Sequence, residues 1–583
     1  MDTTDSNVQN LALKYALVNA LEHDGSANAN SVLGRILSEI AELRKESARI
    51  KPIVIQQVAK VNGLQRDQQR SVLDDLFPGE FEKRTAKKKE ISKAESEKEP
   101  TLPDLPGAEM GSVVTRFPPE PNGFMHIGHA KAATLGYEYA KRYNGQFIVR
   151  FDDTNPAAEK KEYYAAFLES LNWLGLTPNK IRNASDDIPF FYELAERMIR
   201  NSKAYVCTCT RQEMQNKRNA SEICEHRSNA VEFNLSLWNE MLSGKAKKSD
   251  AILRFVGDMQ SLNTTMRDPV LFRIVEESHP LKGREYNVWP TYDFDGAVED
   301  SHDGVTHAMR SKEYELRDEL YYALLDSLEM RKPRIIEFSR LQLANTTVSK
   351  RNLRKLIEAG YVSGWDDPRL PTISALRRRG FLPQAIREFI ISMGLSKVES
   401  QPTWDLLESI NRKLLDPIAK RYFFVSDPVS VNVIGEPEVR ASIRLHPTEN
   451  MGVREIDTHG RFQVSSADAS ALGPGSRFRL IDLYNVEVAS KEDRELEVKK
   501  VEGSLSERIP KLQWVATDQG VPFKLIVTGP LLVNEEYNPA SLKTEDGIAE
   551  SAVASLPVGD IVQFVRIGFC RLDSPGTAIL AHK

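Results

Sequence analysis

Cysteine is scarce in this chain: four in 583 residues, too few for a disulfide framework at this size. That excludes a disulfide-stapled secreted scaffold and fits a reducing compartment. Long apolar runs are missing too. No stretch approaches the roughly 18 residues that a membrane span requires, and Asp2, Asp5 and Lys14 keep the first twenty residues from reading as a secretory leader. Cytoplasm is the expected location. Neither sign of charge dominates, since 78 Lys and Arg face 83 Asp and Glu. The balance does not decide about nucleic acid, because a basic face can be offset by acids elsewhere. The length predicts about three to five domains.

Residues 8–76 carry helical spacings, with Leu33, Ile36, Leu37, Ile40 and Leu43 on one stripe. From Phe81 to Pro100, twelve of twenty residues are charged, which cannot support a core. A β-rich run "SVVTRF", a helical pattern and "GQFIVRFDDT" then predict a strand–helix–strand unit of a parallel sheet. A segment rich in Cys, Arg and polar residues intervenes before β-prone patterns return in "VWPTYDF" and "RIIEFSRLQL". The pattern is that of one sheet interrupted by an insertion. Helical signals follow, and the tail holds short strands with turn chemistry that predict barrels. The expected division is a helical region 1–80, a charged linker 81–110, α/β halves 111–204 and 287–352 around an insertion 205–286, a helical region 353–422 and a β-rich region 423–583.

The stretch "RFPPEPNGFMHIGH", residues 116–129, combines stiff and permissive residues. Pro118, Pro119 and Pro121 rigidify the exit from the first strand, while Gly123 and Gly128 allow close backbone approach. A helix starting near Ile127 aims its unpaired N–H groups at that loop, an arrangement suited to phosphate. His126 and His129 fall at its first turn, where imidazole nitrogens can meet phosphate oxygens that gain charge. Alone, this pattern also fits a rigid loop with two surface histidines.

"HIGH" at 126–129 with "VSK" at 348–350 resembles the two signature motifs of class I aminoacyl-tRNA synthetases. "RFDDTNP", "YDF", "FSRL" and "WDDPRLPTISALRRRGF" narrow the resemblance to the glutamyl/glutaminyl branch, in its archaeal and eukaryotic form with a β-barrel tail. It implies a Rossmann-type catalytic domain, an inserted domain for the acceptor end of tRNA, a helical stem-contact region and anticodon-binding barrels. The loop departs from the usual KMSKS at Thr347, Val348 and Arg351, so Lys350 is the residue carried over. The resemblance assigns His126, His129 and Lys350 to catalysis. It assigns Gly128, Arg340, Leu341, Ser349 and Lys350 to ATP, and Arg116, Asp152, Tyr292 and Arg310 to the amino acid. ATP and Mg²⁺ are the implied cofactors.

Arg310 favours glutamate over glutamine. Glutaminyl enzymes of this branch typically read "LCT" where this chain has "MRS" at 309–311, and two guanidinium groups suit a carboxylate better than a neutral amide. Asp152 is expected at the α-ammonium. The other reading of Arg310 is a solvated helix residue. The implied partners are tRNA(Glu), L-glutamate and ATP; tRNA(Gln) stays open as a second acceptor, and the N-terminal helices are a candidate docking module for a protein. The alternatives are the glutaminyl enzyme, a silent tRNA-binding or scaffold protein, and an enzyme that modifies a tRNA base.

Cys207, Cys209, Cys224 and His226 form C-x-C, fourteen residues, C-x-H. Three thiolates and an imidazole suit tetrahedral Zn²⁺ in a structural role; reduced cysteines in a loop are the alternative. Arg377, Arg378 and Arg379 form a basic cluster that either meets RNA phosphate or is simply solvated.

Overall fold

The computed structural model describes residues 5–22, 25–40, 46–81, 102–341, 343, 346, 349–398, 402–435, 438–504 and 508–583. The chain divides into two compact units, 1–101 and 102–583. The first consists of helices Asp5–Glu22, Ala29–Glu39, Ser47–Asn62 and Arg66–Leu76. Ile36 and Ile40 of the expected stripe are buried, Leu33 and Leu37 line the edge of the core, and Leu43 lies outside the described residues. The amide of buried Gln69 donates to the carbonyls of Gly25 and Val61, both at 2.9 Å. It thereby satisfies backbone groups where two helix ends meet.

Residues 82–101 of the expected linker lie outside the described residues. Its remainder is corrected by the structure, because Leu102 and Leu105 enter the core of the second unit and the Pro106 carbonyl accepts from His307 Nε2 at 3.2 Å. Strands β1 (Val114–Phe117), β2 (Gln146–Phe151) and β3 (Lys180–Asn183) are parallel and adjacent in that order. Helix Ile127–Arg142 connects the first two. β4 (Ala204–Cys207), β5 (Ile252–Phe255), β6 (Val270–Ile274) and β7 (Val288–Pro290) form an antiparallel sheet of their own, packed with Trp238, Phe272 and Trp289. β8 (His307–Ser311) and β9 (Arg334–Phe338) are again parallel. Thr306 exchanges hydrogen bonds with the backbone of Val114 at 2.9 Å, which seats β8 beside β1 on the edge away from β2. The interrupted sheet is therefore rejoined across the insertion.

Helices Lys350–Glu358, Ile373–Arg379, Pro383–Met393 and Trp404–Leu415 follow, and then two seven-stranded sheets with barrel-like cores around Phe462 and Trp514 and around Phe424, Phe523 and Phe564. The junction explains the basic cluster. Arg378 pairs bidentately with Asp573 at 2.8 Å, and Arg379 reaches the Ala581 carbonyl and Glu408. Gly380 ends the helix at φ 107°, and a side chain there would strike Arg571 and Ala581. Of the three arginines only Arg377, paired with Glu169 on the surface, matches the solvated reading. The other two bind the helix to the last strands.

Candidate active site

A cavity of about 690 Å³ opens at the C-terminal ends of β1, β2, β8 and β9. Loop 118–126 forms one wall, and it is held from outside itself. Ile127 N donates to the Pro371 carbonyl (3.0 Å) and Ile373 N to the Met125 carbonyl (2.9 Å), while Phe124 stacks on Trp365 at 5.4 Å. The "WDDPRLPTIS" segment thus braces loop 118–126.

His126 is the N-cap of helix Ile127–Arg142. Its Nδ1 accepts from the backbone N–H groups of Gly128 (3.1 Å) and His129 (3.3 Å), and His126 N donates back to His129 Nδ1 at 3.4 Å. The arrangement is a capping box built from two imidazoles. Since each Nδ1 accepts, the network assigns the proton of both neutral rings to Nε2, as a donor. Enclosure by the loop, then His129 and Arg340, hold the His126 pKa well below the usual imidazole value. The rings stack at 3.7 Å. Gly128 is required here: a Cβ would sit 3.0 Å from the His126 ring and 3.6 Å from the Leu341 carbonyl.

Across the cavity, Leu341 is buried and Arg340 pairs with Glu313 at 3.0 Å. Ser349 lines the cavity and precedes helix Lys350–Glu358 as its N-cap residue. Lys350 is the first residue of that helix, but its side chain, with Thr347 and Val348, lies outside the described residues.

The inner end of the cavity is charged. Arg116 on β1 sends Nε and Nη2 to the two oxygens of Asp300 (2.9 and 3.1 Å) and Nη1 to the Met309 carbonyl. Three of its five N–H groups are thus used. The expectation of a whole guanidinium fork facing the substrate is corrected accordingly: Arg116 lines the cavity with two N–H groups left. Arg150, fully buried, contacts Asp152 Oδ1 (2.9 Å) and Asp300 Oδ1 (3.0 Å). Burial pushes the Asp300 pKa up, yet Arg116 and Arg150 outweigh burial and hold it below the usual value. Asp300 stays an anion between two cations.

Arg310 lies on β8, is 7 % exposed and faces the cavity. It pairs with Asp318, stacks 4.9 Å over the Tyr321 ring and keeps an unpaired Nε among the described residues. The solvated-helix reading is thereby excluded. Tyr292 reaches the cavity because β7 ends beside it: Thr291 is tied to Val270 and Leu271, and helix Tyr292–His302 starts there. Asp300 is one residue that sequence reasoning missed. Its signal was the i, i+4, i+8 spacing of Tyr292, Gly296 and Asp300, all of which line the inner cavity. Arg150, Asp295 and Arg273 were missed as well.

Away from this cavity, Cys207, Cys209, Cys224 and His226 bring their ligand atoms within 4.8 Å of one another. The Sγ separations are 3.7 Å (Cys207–Cys224) and 3.5 Å (Cys209–Cys224), and His226 Nδ1 lies 3.3–3.9 Å from the three sulfurs. A tetrahedral ion with bonds of about 2.3 Å to sulfur and about 2.0–2.1 Å to nitrogen requires edges of about 3.5–3.8 Å. The residues fit. Thr208 Oγ1 holds His226 Nε2 at 2.9 Å, turning Nδ1 inward.

Comparison with known proteins agrees with this architecture. Residues 112–417 match the family "tRNA synthetases class I (E and Q), catalytic domain", and 419–506 and 511–573 match its two anticodon-binding domain families. The chain is 42 % identical over 577 residues to a glutamate–tRNA ligase of Cenarchaeum symbiosum and 43 % identical over 580 residues to one of Nitrosopumilus maritimus. A third, from Pyrococcus furiosus, is 41 % identical over 589 residues; each match covers 99 % of this chain and the whole relative. By this identity over its full length, the chain belongs to the class I tRNA synthetases of the glutamate and glutamine branch, among the glutamate–tRNA ligases.

Proposed function

We propose that this chain joins L-glutamate to the 3′ end of tRNA(Glu) through a glutamyl-adenylate, consuming ATP and releasing AMP and pyrophosphate. The observation that carries this reading is a buried arginine, Arg310, in the same cavity as a helix N-terminus capped by two imidazoles. The α-carboxylate of glutamate is ionised near neutrality and attacks the α-phosphorus of ATP. A carboxyl–phosphate bond forms, the bond between the α-phosphorus and the bridging oxygen breaks, and pyrophosphate leaves. No general base is required. Nε2–H of His126 and of His129 stabilise charge on the phosphate oxygens, with the positive dipole end of helix Ile127–Arg142, whose first N–H groups, expected unpaired, are already taken by His126 and Pro371. Lys350, the first residue of helix Lys350–Glu358, is assigned the same task. Mg²⁺ bound with the nucleotide supplies further neutralisation of phosphate charge, and Glu120 and Glu313 offer oxygen donors of the kind it takes. The terminal ribose hydroxyl of tRNA then attacks the glutamyl carbonyl, and AMP departs.

At the amino acid, Asp152 pairs with the α-ammonium, Arg310 with the γ-carboxylate, and Arg116 and Tyr292 frame it. The C-terminal sheets read the anticodon, the N-terminal helical unit docks a protein partner, and the enzyme works in the cytoplasm. Incubation with ATP, glutamate and tRNA(Glu) should give AMP, pyrophosphate and glutamyl-tRNA in equal amounts. Formation of no ester under these conditions would refute the assignment.

Zinc at the Cys207, Cys209, Cys224 and His226 cluster is structural in this reading, because four protein ligands leave no open position for chemistry. Protein purified without chelator should hold one zinc per chain, and stripping it should loosen the insertion locally. Charging of tRNA should fall more than ATP binding. Metal analysis that finds no zinc would reject this assignment.

A further inference from the structure

Two carboxylates face the cavity with one oxygen each unused. Asp152 Oδ1 accepts from Arg150 Nε, and Asp295 Oδ2 accepts from Thr154 Oγ1 at 2.5 Å. Asp152 Oδ2 and Asp295 Oδ1 have no hydrogen-bond partner among the described residues, although the side chains are only 8 % and 1 % exposed. A buried polar oxygen without a partner costs about 1–3 kcal/mol, and more when charged. Of the neighbouring cations, Arg150 meets this pair only at Asp152 Oδ1, and none bonds either unused oxygen. Arg116 and Arg150 share Asp300, and Arg273, across the cavity, donates to the carbonyls of Pro290 and Thr154. Tyr292 and Asp295 are one turn apart on the same helix, and both line the cavity.

We propose that Asp295 is a second recognition carboxylate for the α-ammonium of the amino acid substrate, sharing its three N–H groups with Asp152. This rests on the amino-acid-activating function proposed above. Asp152 alone offers one free oxygen; with Asp295 the cavity presents two acceptors to one small cation. Burial and the charge of Asp152 push the Asp295 pKa up to about 8, while Thr154, Arg150 and the Gly296 N–H oppose the rise. Glu159, paired with His279 at 3.2 Å, and Arg273 complete the charged surroundings. Burial raises the Asp152 pKa too, so the free protein holds a proton on the Asp152–Asp295 pair at neutral pH, and arrival of an ammonium releases it. Affinity for glutamate rises with pH up to about 8 and levels off above it.

Calorimetric titration of the full chain with glutamate at pH ~7, in buffers of different ionisation enthalpy, tests this. Wild type should release close to one proton per glutamate, and Asp295→Asn close to none. Glutarate, which lacks the ammonium, should release none from either. In charging assays Asp295→Asn should raise KM for glutamate roughly 10–100-fold with a smaller change in kcat, and Asp295→Glu should recover part of it. Asparagine can still accept from Thr154, so the fold should hold. Equal proton release by wild type and Asp295→Asn, or an unchanged KM, would overturn the proposal while leaving the activity in place. Proton release on adding Mg²⁺ alone would assign the pair to a metal and overturn it too. Failure of wild type to bind glutamate at all would overturn the underlying function as well.

Discussion

Arg310→Cys will move the preference of this enzyme from glutamate toward glutamine. The guanidinium is buried near the end of β8 and lines the cavity, and its Nε has no partner among the described residues. With cysteine there, the γ-carboxylate of glutamate meets a partly dry wall with one cation fewer. The loss is about 2–5 kcal/mol, the range for truncating one partner of a buried ion pair. Glutamine, being neutral, loses little. The substitution also strands Asp318, the present partner of Arg310, so some activity will be lost for reasons of folding. Comparing kcat/KM for the two amino acids on one preparation cancels that damage, because both substrates meet the same protein. The ratio should fall by roughly 30-fold or more. An unchanged ratio would place specificity elsewhere. The switch will be incomplete: Arg116 retains two N–H groups, and Gly296 supplies no side chain to read an amide.

Replacing His126 separates two roles of one residue. Its Nδ1 caps the helix, and in the proposed reaction its Nε2–H meets the phosphates. His126→Ala removes both, whereas His126→Asn keeps a cap acceptor and removes only the outer donor. Both variants should slow glutamyl-adenylate formation by about 10²–10³-fold, the cost of one preorganised donor. Only the alanine variant should also lose about 1 kcal/mol of stability. The pH dependence has a definite sign. With its pKa held below the usual imidazole value, folded His126 resists protonation; the cap's contribution is present above pH ~6.5 and is lost as pH falls through the lower folded-state value. A rapid-quench measurement in which His126→Asn activates glutamate at the wild-type rate would remove the ring from the chemistry.

Local chemistry made the phosphate loop legible in the sequence. Three prolines, two glycines and an abrupt helical pattern allow few backbone paths, and the structure shows the helix starting at Ile127 with its capping box in the cavity wall. The zinc-type cluster was equally readable, because four ligands within twenty residues need little tertiary information. Partners distant in sequence were not legible. Nothing around Arg378 announces Asp573, so of three arginines read as either an RNA contact or a solvated face, two turn out to fasten a helix to the last strands. Arg116 lines the cavity, yet its pairing with Asp300 depends on the β1–helix packing that a linear motif does not encode. Leu102 and Leu105 lay hidden in a proline-rich segment too short for any periodicity. The orphan oxygen of Asp295 is an absence of partners, which only coordinates reveal.

The central claim is that the charged end of the cavity selects glutamate for transfer to tRNA. It is tested most directly by offering equal glutamate and glutamine to the wild-type enzyme with ATP and tRNA(Glu), and with tRNA(Gln) in parallel, and identifying the amino acid on the terminal ribose by mass. The account predicts glutamate on tRNA(Glu), with glutamine excluded by about 10⁴-fold or more. Glutamine as the predominant ester would contradict it.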